Sequence, residues 1–167
     1  MRNGLVAEVQ YHFDDVLRAG VVEVQILQDG KNPYVCKSFD YESLPGVAIK
    51  RRIGVTSGGK GGQIDVDLKV LETALNDRPA VLKNKQRRVQ SLSDLKSYKN
   101  FVRGRGGSVQ IWGNPFLIGS VEINDVCSPN ITRDDLKDSA EREALYEKLF
   151  ELQVEIEKIV QESLSRK

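Results

Sequence analysis

Apolar and polar residues alternate along the first third of the chain, and this pattern predicts an antiparallel β-meander. Apolar side chains recur at every second position over residues 5–13 and again over residues 22–26. Asp29-Gly30 is typical of a hairpin turn, and further strands are predicted over residues 34–39 and 47–55. We therefore expect four short strands before the first glycine-rich segment.

The pattern becomes ambiguous after residue 54. Residues 54–62 contain five glycines and predict a flexible loop, because glycine loses much backbone entropy in a packed element. Apolar positions 64, 66, 68 and 70 then alternate as in a strand, whereas positions 64, 68, 71 and 75 have helical spacing. The continuation to Leu75 favours a helix over residues 65–76.

Two further elements are expected before residue 131. Residues 83–90 hold one apolar residue and are predicted to be exposed, and Ser93 is placed to cap a helix that ends near Gly104. Residues 109–112 and 116–123 flank a Gly-Asn-Pro turn and predict a closing hairpin.

The last 36 residues predict one long amphipathic helix over residues 132–167. Thr132 and Asp135 resemble a capping box. A heptad-like stripe follows, formed by Leu145, Leu149, Leu152, Ile156 and Ile159. A stripe widened by further apolar residues packs on its own domain or on a partner helix more readily than in an isolated coiled coil. The expected fold is α+β: a domain over residues 1–131 with an antiparallel sheet, followed by this helix, to which we assign self-association or partner association.

Charge is sorted along the chain although the total is only +1. Residues 1–49 have a net charge of −3, residues 50–107 of +9 and residues 108–167 of −5. A basic middle indicates contact with a polyanion, with nucleic acid as the first candidate. The basic segment 78–107 is its centre, and the candidate contact residues are Lys50, Arg51, Arg52, Lys60, Lys83, Lys85, Arg87, Arg88, Lys96, Lys99, Arg103 and Arg105. Alternatively, these charges meet the acidic C-terminal helix, and the protein is a structural subunit of a larger particle without nucleic-acid contact.

Two short segments resemble enzyme motifs. Residues 55–62 resemble the glycine-lysine loops that bind nucleotide phosphates, but Gly61 stands where such loops need Ser or Thr to hold magnesium. Asp65 and Asp67, preceded by Ser57-Gly58 and with Glu122 later in the chain, resemble the carboxylates of polymerase-beta-type nucleotidyltransferases. That resemblance implies a site for two magnesium ions, although Gly-Ser occurs here in reversed order and the interval is short.

The remaining features favour a non-catalytic protein. His12 has no neighbouring nucleophile or carboxylate in a catalytic pattern. Cys36 and Cys127 form no Cys-x-x-Cys pair, so we expect no zinc site, and two free thiols are favoured over the alternative of a disulfide between them. No signal peptide and no membrane-length apolar run is recognised, which predicts a cytoplasmic protein or part of a soluble particle. We expect no cofactor, and no family resemblance extends over the whole chain.

Overall fold

The computed structural model describes residues 5–6, 8–10, 13, 17, 23–27, 30, 32, 34–35, 43–76 and 78–165. The chain divides into two compact units, Met1–Leu44 and Pro45–Lys167. The α+β fold class is confirmed: the second unit contains a five-stranded, mostly antiparallel sheet and a long C-terminal helix.

The described residues of the first unit include two short strands and a helical segment. Strands β1 (Gln25–Ile26) and β2 (Tyr34–Val35) pair antiparallel, in the part of the chain where the meander was expected. The strand predicted over residues 5–13 is wrong, because residues 5, 6 and 8–10 are helical and Phe13 N–H donates to Val9 O at 3.0 Å. Apolar residues four positions apart lie on one side of a helix and also on one face of a strand. A run this short is therefore compatible with either structure. The predicted strand over residues 36–39 lies outside the described residues.

The sheet of the second unit has the strand order β3-β4-β7-β5-β6. Its strands are β3 (Gly46–Ser57), β4 (Lys60–Leu71), β5 (Val81–Asn84), β6 (Arg87–Ser91) and β7 (Leu117–Glu122). All neighbours are antiparallel except β5 and β7, which run parallel. Strands β3 and β6 form the two edges of this sheet.

Strands β3 and β4 form a long hairpin, so the predicted glycine loop and the predicted helix over residues 65–76 are both wrong. Gly58 and Gly59 make the turn with φ of 57° and 80°, as a tight hairpin turn with two left-handed residues requires. A Cβ on Gly61 would lie 2.5 Å from the carbonyl oxygen of Val55 across the hairpin. The strand tolerates these glycines because every residue of β3 is paired with a residue of β4. In the paired strand, the apolar side chains at positions 64, 66, 68 and 70 lie on one face and are buried.

A helical layer covers one face of this sheet. It contains α1 (Lys96–Gly104) and α2 (Ala140–Ser165), with 3₁₀ turns at Leu92–Asp94 and Gln110–Gly113. The first arm of the predicted hairpin at residues 109–112 is wrong, because Trp112 lies in a 3₁₀ turn with its side chain fully buried. The prediction that residues 83–90 are all exposed is also wrong, because Asn84 and Val89 are buried in β5 and β6.

Helix α2 begins later than predicted. The hydroxyl of Ser139 accepts from Arg142 N–H at 3.0 Å, so Ser139 provides the N-terminal cap. Thr132 belongs to a loop, in which its hydroxyl contacts Asp134 at 2.5 Å. The predicted capping box is therefore wrong, since neither Thr132 nor Asp135 lies at the start of α2.

One buried side-chain amide on α2 connects the elements of the helical layer to one another. Gln153 on α2 is 2% exposed, and its carbonyl oxygen accepts from the Tyr98 hydroxyl and from the Trp112 indole N–H, each at 2.9 Å. Its amide nitrogen donates to Ser108 O at 2.7 Å. Polar atoms removed from water are costly unless they are bonded, and these contacts satisfy three buried groups at once.

Candidate nucleic-acid interface

The candidate basic residues of β3 lie on alternating faces of the edge strand. Arg51 lies on the helix-facing side and forms a bidentate ion pair with Glu155 of α2. Arg52 faces the opposite side, where its Nε donates to Asp65 at 2.9 Å. Lys50 is exposed on that same side and lies opposite Asp67 in the register. These pairs neutralise part of the positive charge, and the Arg51 contact lowers the pKa of the Glu155 carboxyl.

Lys60 lies at the turn of the β3–β4 hairpin and is exposed. It forms no ion pair with any residue that the structure describes. The segment after it continues as strand β4 rather than as a helix, so the helix N-terminus on which nucleotide loops rely does not follow Lys60. The hairpin therefore offers one exposed ammonium group at a tight turn rather than a nucleotide cradle.

The β5–β6 hairpin carries four more of the candidate residues. Lys85 Nζ pairs with Asp125 Oδ2 at 2.9 Å, and Arg88 donates from Nη2 to the Ser91 hydroxyl at 3.0 Å. Lys83 and Arg88 are half-buried, whereas Arg87 is exposed and has no ion pair with any described residue. Of this hairpin, Arg87 is the cation most available to a ligand.

The basic residues of α1 and of the position after it lie on two different sides of the helix. Ser97, Phe101 and Arg105 form the side that contacts α2: the Ser97 hydroxyl meets Tyr146, the Phe101 ring packs on Tyr146 with centroids 5.6 Å apart, and Arg105 pairs with Glu147. We define Lys96, Lys99 and Arg103 as the basic stripe. With 3.6 residues per turn, the stripe lies roughly 170° around the helix from that side.

The basic stripe is only weakly neutralised. Lys96 and Arg103 are exposed and form no ion pair with a described residue, and Lys99 approaches Asp94 at 3.8 Å with 40% of its side chain exposed. Arg105, in contrast, lies over the Phe101 ring at 3.7 Å and is paired to Glu147. Lys96, Lys99 and Arg103, three of the candidate contact residues predicted from the sequence, thus share one side of α1, and that side points away from the acidic helix.

The three carboxylates of the enzyme resemblance lie on one face of the sheet. Asp65 lies directly opposite Glu122, and Asp67 lies opposite Ser120 on the same two strands. Two of the three, Asp65 and Glu122, already have protein partners. Asp65 accepts from Arg52 and Asn124, and the Asn124 amide is the main cause of its lowered pKa. Within the described ranges, no three acidic, histidine or cysteine side chains form a group that could hold a metal ion.

Glu122 instead organises two turns. Its carboxylate accepts backbone N–H groups from Lys85 at 3.1 Å, Gln86 at 2.6 Å and Asn124 at 2.8 Å. All three donors have positive φ, between 49° and 64°, although none is glycine. The carboxylate therefore holds two left-handed turns together at the end of the sheet, a role that sequence spacing did not indicate.

The proposed association stripe of α2 is occupied by the protein's own core. Leu145, Leu149 and Ile156 are fully buried, Leu152 is 3% exposed and Ile159 is half-buried. They pack with the apolar residues of β3 and β4. Of the two packing modes that the stripe allowed, the structure has the intramolecular one, so a partner of α2 would have to use the opposite face.

Asp135 has a function in the fold that sequence reasoning missed. Its carboxylate accepts from Ser97 N–H at 3.0 Å and contacts the Ser97 hydroxyl, and so caps α1 from a loop 38 positions away. Helix α1 has no cap of its own, because Leu95 occupies that position and the predicted cap, Ser93, lies in the preceding 3₁₀ turn. Nothing in the local sequence signals such a distant cap.

Cys127 is the one remaining candidate that lies within the described residues. Cys127 is buried, and burial raises the pKa of its thiol to about 12, so the thiol stays protonated. His12 and Cys36 lie outside the described residues. In the described parts of the chain, no helix is long and apolar enough to cross a membrane.

Comparison with known proteins gives only distant likenesses. No protein family and no curated protein matches the sequence. The fold is similar to the B subunit of the DNA gyrase from Myxococcus xanthus, with 14% identity and a TM-score of 0.47 over 97% of this chain and 54% of that one. It is also similar to the 43K ATPase domain of Thermus thermophilus gyrase B in complex with an aminocoumarin, with 10% identity and a TM-score of 0.34 over 98% and 50%. The chain spans about half the length of these two structures, and likenesses this distant assign it neither an activity nor a site.

Proposed function

We propose that this protein is a non-catalytic binding protein for polyanions, with nucleic acid as the preferred partner and the basic stripe of α1 as the main contact. The observation that carries the proposal is the direction of Lys96 and Arg103. Both are exposed and lie on the side of α1 away from α2, where the acidic helix of the same chain does not neutralise them. The phosphate backbone is the part of a nucleic acid that such residues contact.

Local charge supports the same surface. Residues 78–107 hold nine Lys or Arg residues and one acidic residue, Asp94. Acidic side chains from elsewhere in the chain pair with Lys85 and Arg105, whereas Lys96, Arg103 and Arg87 form no ion pair with a described residue. Arg87 and, outside the segment, Lys60 add exposed positive charge. Since Lys and Arg contacts to phosphate groups carry no sequence information, binding should be tolerant of sequence and strongly dependent on salt.

The direct test is fluorescence anisotropy with a labelled mixed-sequence oligonucleotide, single-stranded and duplex, over a range of salt concentrations. We expect dissociation constants on the order of 10⁻⁴ to 10⁻⁶ M near physiological salt. The double variant Lys96→Ala/Arg103→Ala should bind more weakly, with the slope of log K against log salt reduced by roughly 1.4 to 1.8. The matched control is Lys137→Ala/Lys158→Ala, which removes two exposed basic residues outside the segment.

The outcomes separate the alternatives. Equal weakening in the two double variants would mean that net charge, rather than the basic stripe, determines affinity, and would refute the assigned surface. Absence of binding by the wild type even at low salt would refute the function itself. Oligonucleotide binding that requires Mg²⁺ and is lost in Asp67→Ala would instead support the nucleotidyltransferase alternative.

A further inference from the structure

Helices α1 and α2 contact each other and carry opposite net charge. Residues 96–105 contain four basic and no acidic residues. Helix α2 contains seven acidic and three basic residues, so the two segments have net charges of +4 and −4. Such a surface is complementary to a rotated copy of itself.

The negative charge of α2 is concentrated on its exposed side. We define Glu143, Glu147 and Glu151, spaced at i, i+4 and i+8, as the acidic stripe; their side chains are 55%, 52% and 69% exposed. Glu143 lies 3.7 Å from Arg142 and Glu151 lies 3.7 Å from Lys148, both on the same helix. Exposed pairs at that distance hold a carboxylate weakly.

The two stripes match in length but do not meet within one chain. The basic stripe covers about 10 Å of helix axis and the acidic stripe about 12 Å, at 1.5 Å per residue. The basic stripe faces away from α2, and the one α1–α2 ion pair among the described residues, Arg105–Glu147, uses the other side of α1. Glu147 is paired with Arg105, whereas Lys96, Arg103, Glu143 and Glu151 remain exposed to a second molecule.

We propose that this helical surface binds a second copy of the same chain about a two-fold axis, with each basic stripe against the partner's acidic stripe. Because every copy carries both stripes, one rotation makes two equivalent contacts and closes the assembly as a dimer. This inference is independent of polyanion binding, although a polyanion and a second copy would compete for Lys96 and Arg103. An interface of exposed ion pairs is weak and is screened by salt.

The test is a charge-swap experiment read by sedimentation velocity at about 0.1 and 0.5 M salt, where screening is moderate and strong. The wild type, 18.7 kDa as a monomer, should approach twice that mass with rising concentration at the lower salt and remain monomeric at the higher. Lys96→Glu/Arg103→Glu and Glu143→Lys/Glu151→Lys each spare the Arg105–Glu147 pair. Each should raise the dimer dissociation constant at least tenfold, because like charges then face each other.

An equimolar mixture of the two double variants should recover the dimer, because one contact is then attractive with reversed signs and the other joins the two unaltered stripes. The control Lys60→Glu/Lys137→Glu makes the same charge change away from both stripes and should dimerise like the wild type. A monomeric wild type at low salt, or a mixture of folded variants that stays monomeric, would overturn the proposal. Glu143→Lys/Glu151→Lys should still bind oligonucleotide, so loss of the dimer is distinguishable from loss of polyanion binding.

Discussion

Replacing Glu122 with Ala removes the acceptor that three backbone amides share. The amides of Lys85, Gln86 and Asn124 all donate to this one carboxylate, at 2.6 to 3.1 Å. The first two occupy the β5–β6 turn and the third follows β7, so one side chain fastens two turns that are far apart in sequence. Loss of the carboxylate should loosen both turns together.

The magnitude follows from the number of donors and their exposure. A hydrogen bond to a charged group contributes about 1.5 to 3 kcal/mol, and the lower end applies here because the donor residues are exposed and water can replace part of each bond. Lys85 and Gln86 also keep left-handed conformations, which cost non-glycine residues roughly 1 to 2 kcal/mol each. Release of that strain offsets part of the loss, so we expect Glu122→Ala to lower the free energy of unfolding by about 2 to 4 kcal/mol.

The assay is urea denaturation followed by circular dichroism, together with amide hydrogen exchange of the three donors. The free energy of unfolding of Glu122→Gln should lie between those of the wild type and the alanine variant. The amide keeps one carbonyl oxygen as an acceptor but places an N–H₂ group against a backbone donor. Asp67→Ala is the matched control, since Asp67 is an exposed carboxylate on the same sheet face, and a change within about 0.5 kcal/mol is expected for it. If Glu122→Ala costs no more than Asp67→Ala, or if the three amides keep their protection, the reasoning is refuted.

Three other perturbations test separate features. Gln153→Ala should lower the free energy of unfolding by roughly 2 to 4 kcal/mol and shift the tryptophan emission, since two aromatic donors lose a buried acceptor; unchanged emission would contradict this. Gly119→Ala should cost about 3 kcal/mol or more, because φ is 114° and a Cβ would lie 2.1 Å from a carbonyl oxygen, whereas Gly54→Ala has open space and should be neutral or stabilising in thermal melts. The ion pair with Arg51 lowers the pKa of Glu155, so its contribution to stability is present at neutral pH and is lost as the pH falls through that lowered pKa. Glu155→Gln should therefore reduce the difference in unfolding free energy between pH 7 and about pH 3. An unchanged difference would contradict this.

Local sequence pattern identified the residues whose side of a helix or strand follows from their spacing alone. The apolar stripe of α2 fills one side of a helix whichever surface covers it, and the side of α1 that holds Lys96 and Arg103 follows from spacing alone. Strand β3 was likewise recognisable from its apolar positions between two turns. These features needed no knowledge of the neighbours.

Other features depended on which segments became neighbours. The apolar spacing of residues 64–75 suits a strand and a helix equally. Pairing with β3 and β7 makes this segment a strand as far as Leu71, because each pairing satisfies backbone groups that a lone segment leaves open. Asp135 caps a helix 38 positions away, and Glu122 bonds amides 36 and 37 positions before it. The sequence by itself determined the fold class, the long helix and the basic stripe, because these rest on local periodicity and charge. Only the tertiary structure decided what the carboxylates bond and which charges stay exposed, because both depend on contacts between residues remote in the chain.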